Sequence, residues 1–523
     1  MKPRVKESTR NEELTVKDVN MEGLIRVRMT SLHDKVMSAE EALQFIKNET
    51  LIGLSGFGGA GEAKSVPLAL VEYAKQYPVK ITLATGASLG NKIDGHLDEA
   101  GVIVKRYPYQ ADAVLRKSIN VGKVNYIDMH LSHMADNIRH ANLPTPKVVI
   151  IAAVAITEEG HIIPTASVGN SAVFTDLAEQ IIVEIDNTIS PLLEGVHDVY
   201  VPEKRPARNP IPLIHPNSRV GTVGIKVDPA KIVAVVLNDI PDTASSYAEG
   251  DDETAKIAKH LIRFFEDEVA KGKLPKNLGP LQSGVGSICN AVFTGLEHSS
   301  FENLEMYSEI LQDCIFKLMD SGKMSFASAC GMTLSDSYGS TVMQNFEKYK
   351  DKVILRPQEI SNNPELIRRL GVIAINTALE FDIYGNVNSS HVMGTNMMNG
   401  IGGSGDYARN SHLAVFVTKS IAKNGDISSV VPMVSHVDHT EHDVDILVTE
   451  QGLADLRGLS PRERASVIIE NCVHPLYRTQ LQNYFDRACS NGGHTPHLIG
   501  QALSWHQQYL SEGSMLKKSV TFA

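Results

Sequence analysis

Residues 147–156, KVVIIAAVAI, form an unbroken run of β-branched and small apolar side chains after a single lysine. The run is too short to span a membrane and lacks the alternation of a strand with one wet face. It reads as a strand buried on both sides of a sheet. Runs of the same kind stand at 51–54, 81–84, 180–185 and 231–237, with helical patterns between them. Buried strands alternating with helices imply an α/β fold with a largely parallel sheet. Ser38 with Glu41 three residues on makes a capping box before Ala39, Ala42, Leu43 and Ile46 at helical spacing, so a helix is expected to open the fold.

The same grammar continues at 304–310, 353–355, 372–376, 412–418, 429–435 and 445–450. A chain of 523 residues exceeds the ~250 to 300 at which one core stops growing, so two domains are expected. Prolines crowd 202–216, which reads as an extended crossing segment. The polar, acidic stretch 238–254, NDIPDTASSYAEGDDET, separates a strand from the helical pattern 255–272 and is the expected junction. This places one α/β domain at 36–238 and another at 255–516. The letters show no internal repeat.

A formal charge of −11 argues against sequence-independent nucleic-acid binding, and anionic ligands would have to be met by local donors. No apolar run reaches the ~18 residues of a membrane span. The N-terminal stretch mixes both charge signs, and Glu7, Glu12, Glu13 and Asp18 disfavour an organelle targeting peptide. Five cysteines without a CxxC pair suit a reducing compartment, so a cytoplasmic protein is expected.

Three glycine-rich stretches follow strand-like runs: 55–61 (SGFGGAG), 282–287 (QSGVGS) and 399–405 (NGIGGSG), the last leading to Asp406 and Arg409. The first fails the dinucleotide spacing and reads equally as a tight turn or as an anion site at a helix start. Together they suggest backbone brought close to a ligand, with N–H groups placed for an oxyanion. Glu309 closes an apolar strand before a helical pattern. Its position fits both a surface or capping glutamate and a carboxylate aimed into a ligand crevice. His436, Asp438, His439, Glu441 and His442 offer a candidate metal site for a metal-dependent hydrolase. The spacing departs from HExxH and favours a hydrogen-bonded polar loop.

The stretches PLQSGVGSICNAV, MYSEILQD, RPQEISNNPELIRRLGVIAINTALEFDIYGNVNSSHVMG, MNGIGGSGDYARN and VPMVSHVDHTEHDVDILVTEQGLADLRGLSPRERA resemble one family. It is the acetyl-CoA hydrolase/transferase branch of the class I CoA-transferases, and the similarity runs from about residue 36 to 516. HLSHMA, AVAITEEG, TPH and ALSWH look most like its succinyl-CoA-using members. The resemblance implies two CoA-transferase-type α/β domains with the active site between them.

The family's Y-[ST]-E-x-x-Q-[DE] motif falls on Tyr307, Ser308, Glu309, Gln312 and Asp313, making Glu309 the implied nucleophile. Ser283, Gly284, Val285 and Gly286 match its CoA and oxyanion loop, and Gly403 a second oxyanion donor. Asn362 matches the asparagine of its SNNPE motif, and Asn399 and Lys423 are implied to contact CoA. The implied activity moves CoA from succinyl-CoA or another short acyl-CoA to a small carboxylate such as acetate, through a glutamyl-CoA thioester. Acetyl-CoA hydrolysis at the same site is the alternative. Acyl-CoA and carboxylates are the implied substrates, with no metal or prosthetic group, in a homodimer or higher homo-oligomer. The sequence departs from the family at Cys289, Ser390 and the pair Gly58 and Gly59, and 242–252 has no arginine where some acetate-using relatives carry one.

Overall fold

The computed structural model describes residues 21–244 and 250–516. The N-terminal acidic residues Glu7, Glu12, Glu13 and Asp18 lie outside the described residues.

Eight strands form the first sheet: β1 (Thr50–Leu54), β2 (Ile81–Ala84), β3 (Ile103–Tyr107), β4 (Asn125–Tyr126), β5 (Val148–Ile156), β6 (Ile162–Pro164), β7 (Gln180–Asp186) and β8 (Ile232–Asn238). They lie in the order β4-β3-β2-β1-β5-β7-β8, all parallel, while β6 runs antiparallel to β5. Every residue of β5 is buried. Its alternate residues feed two cores: Val149, Ile151 and Ala153 on one face, Val148, Ile150 and Ala152 on the other. A strand with no wet face has no reason to alternate polar and apolar residues, which is why this run stands out in the sequence.

The second sheet takes β9 (Pro280–Ser283), β10 (Leu304–Tyr307), β12 (Met324–Ala329), β14 (Val353–Leu355), β15 (Ile373–Thr377), β16 (Leu413–Val417), β17 (Ile446–Thr449) and β18 (Gly452–Asp455). Its order is β14-β12-β10-β9-β15-β16-β17-β18, parallel except for the last pair. The short β11 (Ile310–Leu311) and β13 (Gly331–Met332) pair beside it. Both sheets therefore place four strands in reverse chain order and then three parallel strands in chain order, to which the second sheet adds the antiparallel β18. The order reverses between β1 and β5 and between β9 and β15, the switch points where ligands enter such sheets. One apolar cluster, from Ile151 and Val183 to Leu281 and Val415, runs through both domains.

Several expectations need correction. The Ser38 capping box is present, but its helix, Ala39–Ala42, is short and continues as a 3-10 turn to Phe45. The helix Met21–Ile25 precedes it. The run 304–310 breaks after Tyr307, because Ile310 and Leu311 leave the main sheet to pair with β13. Residues 429–435 give only Val430–Val431, outside the main sheet, with Pro432 next in the chain. The strands β3, β9 and β12 went unread, since IVKRY and MSFASA mix polar residues into the run and PLQS begins with proline.

Residues 202–216 hold no regular element and cross onto the second domain. The Ile211 and Leu213 carbonyls accept from Arg369 at 2.6 and 2.9 Å, and the Pro216 carbonyl from Arg356 at 2.9 Å. Arg356 is fully buried and pairs with the buried Asp198 of the first domain. Arg356→Met leaves that carboxylate buried without its counter-ion and is expected to destabilise the protein by about 3 kcal/mol. A lower urea midpoint, partly restored by adding Asp198→Asn, checks this.

Candidate active site

The carboxyl ends of the two sheets face each other across a cavity of about 260 Å³. The first domain lines it with Phe57 and Gly58 after β1, Ala87 and Ser88 after β2, Tyr109 after β3 and Leu131 after β4. The second lines it with Gly284 and Val285 after β9, Glu309 after β10, Thr377 at the end of β15, and the glycine loop 399–403.

Glu309 sits where the chain leaves β10. Its carbonyl accepts the N–H of Cys330 at 2.9 Å and of Gly331 at 3.1 Å, which fixes its backbone. It caps no helix, because the next one, Asp313–Asp320, is preceded by Gln312. Asn362 Nδ2 donates to Glu309 Oε1 at 2.8 Å. Burial pushes the Glu309 carboxyl up to about 7, against the pull of that hydrogen bond. Half-neutral near physiological pH, it keeps more nucleophilicity than an ordinary carboxylate while still ionising.

Asn362 ends the short helix Gln358–Ser361, and both domains hold that helix. Tyr307 and Tyr407 donate from their hydroxyls to the Ile360 and Ser361 carbonyls at 2.5 and 2.6 Å. Gln358 donates to the Gly169 and Leu131 carbonyls at 2.9 and 3.0 Å, and Arg139 grips Glu359 with two bonds of 2.9 and 2.8 Å.

The first domain also fixes the loop carrying Gly403. Tyr126 donates to the Asn399 carbonyl at 2.8 Å. Asp128 accepts the Ile401 N–H at 3.0 and 2.9 Å. Ser132 donates to Asp406 from both its N–H and its hydroxyl. Gly403 must lack a side chain, since a Cβ there would lie 1.8 Å from Glu309 Oε1 and 2.3 Å from Asn362 Nδ2. Among the described residues, no acceptor takes the N–H of Val285 or of Gly403. Val285 and Gly403 thus line the same cavity as the half-buried Glu309 carboxylate with their N–H groups unengaged.

Of the other residues singled out in the sequence, Gly284 and Asn399 line the cavity. Ser283 is buried beneath it and donates to the Gly284 carbonyl at 2.8 Å, while Gly286 precedes the helix Ser287–Glu297. Lys423 lies on an exposed turn and does not line the cavity. The stretch 55–61 is a tight turn, with Phe57 and Ala60 paired across Gly58 and Gly59 at φ +65° and +86°. The helix start beyond it, Ser65–Ala74, already holds an anion of the protein's own. Glu184 accepts the N–H groups of Lys64, Ser65 and Val66 at 2.7, 3.0 and 2.7 Å.

The histidines of 436–442 do not converge, and no metal-holding group of three or more ligands occurs among the described residues. His436 stacks on His391 with ring centroids 3.8 Å apart, and His442 is 80% exposed. Asp438 accepts from Ser389 and Ser390 as part of a polar loop. His439 is buried, and burial drives its pKa down to about 4, so it is neutral. Its Nε2 lies 3.1 Å from the hydroxyl of Ser404, which lines the cavity.

Asp128, Ser132 and Asp406 were not picked out as site residues. The signal available was indirect: Ser132 lies within HLSHMA and Asp406 within GIGGSGDYARN, two of the resembling stretches.

Comparison with known proteins identifies the family. Residues 24–237 match the acetyl-CoA hydrolase/transferase N-terminal domain and residues 339–485 the corresponding C-terminal domain. A succinyl-CoA:acetate CoA-transferase of Clostridium kluyveri is 51% identical over 494 residues, 94% of this chain and 92% of that one. A propanoyl-CoA:succinate CoA transferase of Escherichia coli is 42% identical, covering 92% of this chain and 98% of its own. The crystal structure of RipA from Yersinia pestis shares the fold, with a TM-score of 0.67 and 21% identity over 87% of this chain and 98% of RipA. Two matched domains and a relative more than half identical along nearly the whole length leave one conclusion: the chain belongs to the acetyl-CoA hydrolase/transferase family.

Proposed function

We propose that the protein is a CoA-transferase that moves CoA from succinyl-CoA, or another short acyl-CoA, to a small carboxylate such as acetate. The observation that carries this reading is the Glu309 carboxylate, held by Asn362 in an interdomain cavity that Val285 and Gly403 also line. The domains that close on it are 36–238 and 255–516.

Glu309 attacks the thioester carbonyl, and the N–H groups of Val285 and Gly403 hold the oxyanion. The C–S bond breaks, leaving a mixed anhydride on Glu309 and CoA thiolate. The thiolate attacks the glutamyl carbonyl and expels the first carboxylate, giving glutamyl-CoA. A second carboxylate attacks this thioester, and the steps run in reverse until Glu309 is free. Each step exchanges one anion for another, so no proton acceptor is needed. Ser283, Gly284, Gly286 and Asn399 would border the CoA thiol end, and Lys423 would meet CoA farther out. Among the described residues no Lys, Arg or His lines the cavity, so the distal carboxylate of a succinyl group would be met by hydroxyls and amides such as Ser88 and Asn376. The enzyme would act in the cytoplasm as a homodimer, which a solution mass of twice the chain would support.

Incubation with succinyl-CoA alone, a borohydride quench and peptide mass mapping test the covalent step. Reduction confined to the peptide containing Glu309 is expected. CoA release at an undiminished rate without an acceptor acid, and with that peptide unmodified, would point to direct hydrolysis and overturn the transferase reading.

A further inference from the structure

Asp406 has no role in the chemistry above, yet three hydrogen bonds converge on it. Its Oδ1 accepts the Ser132 hydroxyl at 2.5 Å, and its Oδ2 accepts the Ser132 N–H at 3.0 Å and Asn362 Nδ2 at 3.4 Å. The same Nδ2 donates to Glu309 Oε1 at 2.8 Å. An amide nitrogen has two hydrogens, and here each faces one carboxylate.

Asn362 is fully buried, and its Oδ1 has no hydrogen-bond partner among the described residues. Turning the amide over would set that oxygen against both carboxylates, each of which accepts but cannot donate when ionised. Two carboxylate oxygens on one side, Glu309 Oε1 and Asp406 Oδ2, therefore hold the nitrogen towards the nucleophile. Ser132 comes from the first domain, so the chain Ser132, Asp406, Asn362, Glu309 ties the nucleophile to the docking of that domain.

We propose that Asp406 is a positioning residue: it fixes the Asn362 amide with its nitrogen on Glu309 and couples that orientation to the first domain through Ser132. This rests on Glu309 being the nucleophile. Asp406 also faces Glu309 as a like charge, and burial with that charge pushes its own carboxyl up to about 7. The other titratable groups nearby are Tyr407 on the same helix, Cys330 beside Glu309, and His130 of the first domain, packed on Gly405. Burial keeps the tyrosine and the thiol neutral and lowers the histidine, so Glu309 is the anion that Asp406 opposes. The Asn362 hydrogen bond is what pulls the Glu309 carboxyl down against burial, so where that amide is no longer held, Glu309 keeps its proton to higher pH.

The test is Asp406→Asn in the full chain, assayed with succinyl-CoA and acetate across pH about 5.5 to 8.5. We expect kcat about 30-fold lower, KM for succinyl-CoA within about 2-fold of wild type, and the acid limb of kcat/KM displaced to higher pH. Ser132→Ala should lower kcat about 3-fold, by losing one of the bonds that hold Asp406. A kcat within about 2-fold of wild type, or a lost kcat with an unmoved acid limb, overturns the proposal, because a merely structural residue would not move the limb. If Asp406→Asn does not fold, Ser132→Ala is decisive, and an unchanged kcat there overturns it. The two readings separate in the wild-type control. No borohydride label on Glu309 removes the nucleophile and this proposal together, whereas a labelled wild type beside a fully active Asp406→Asn overturns this proposal alone.

Discussion

Glu309→Gln is expected to lose at least about 10⁴-fold in kcat while becoming more resistant to heat at pH 8. The loss follows from removing the only atom proposed to form the acyl anhydride, with the oxyanion donors left intact. The gain follows from linkage. Glu309 has its folded-state pKa raised from 4.5 to about 7, chiefly by burial. Above pH 7 the folded protein carries a charge that the unfolded chain solvates better, and this penalty shrinks as pH falls from 7 towards 4.5, where both states are protonated. At about 1.4 kcal/mol per pH unit between the two values, the upper limit is about 3 kcal/mol, which water entering the cavity reduces to about 2. The amide keeps the shape and avoids the charge. For a chain of this length, unfolding as one unit, the shift is about 2 °C in Tm at pH 8, fading at pH 5. A Tm difference that is the same at both values would mean that Glu309 is not charge-stressed. The wild-type acid limb of kcat/KM belongs near pH 7 for the same reason.

What the sequence discloses depends on how local the cause is. β5 is legible because burial on both faces is written into consecutive residues, and the Ser38 capping box because its partners are three residues apart. The matching strand order of the two sheets is not legible. It is a pattern of pairings between distant segments, and different side chains satisfy it in each half. Glu309 stands out only through family resemblance, since one glutamate after a strand has many bland explanations. Asp406 and Ser132 were missed for a physical reason: the hydrogen bonds that give them meaning join residues 274 apart in the chain. The histidine cluster misled in the opposite way. His436, His439 and His442 are close in sequence, but an irregular loop sends them to a stacked, a buried and an exposed environment.

Gly403→Ala should cost about 10²-fold or more in kcat with little loss of stability. The added methyl would lie 1.8 Å from Glu309 Oε1, 2.4 Å from its carboxyl carbon and 2.3 Å from Asn362 Nδ2, so either the carboxylate or the loop must move. The loop is the less free of the two, because Tyr126, Asp128 and Ser132 of the first domain hold Asn399, Ile401 and Asp406 on both sides of Gly403. The carboxylate therefore swings away from Asn362 and from the free N–H groups. Backbone conformation adds nothing, since Gly403 has φ −93°, which alanine adopts without strain. Gly286→Ala is the opposite case: nothing lies within 4 Å of its Cβ, but φ is +135°. That substitution should lower stability by about 1 kcal/mol and leave kcat within a few-fold of wild type. A Gly403→Ala enzyme with kcat within about tenfold of wild type would show that the loop retreats instead, and the oxyanion would then depend on Val285 alone.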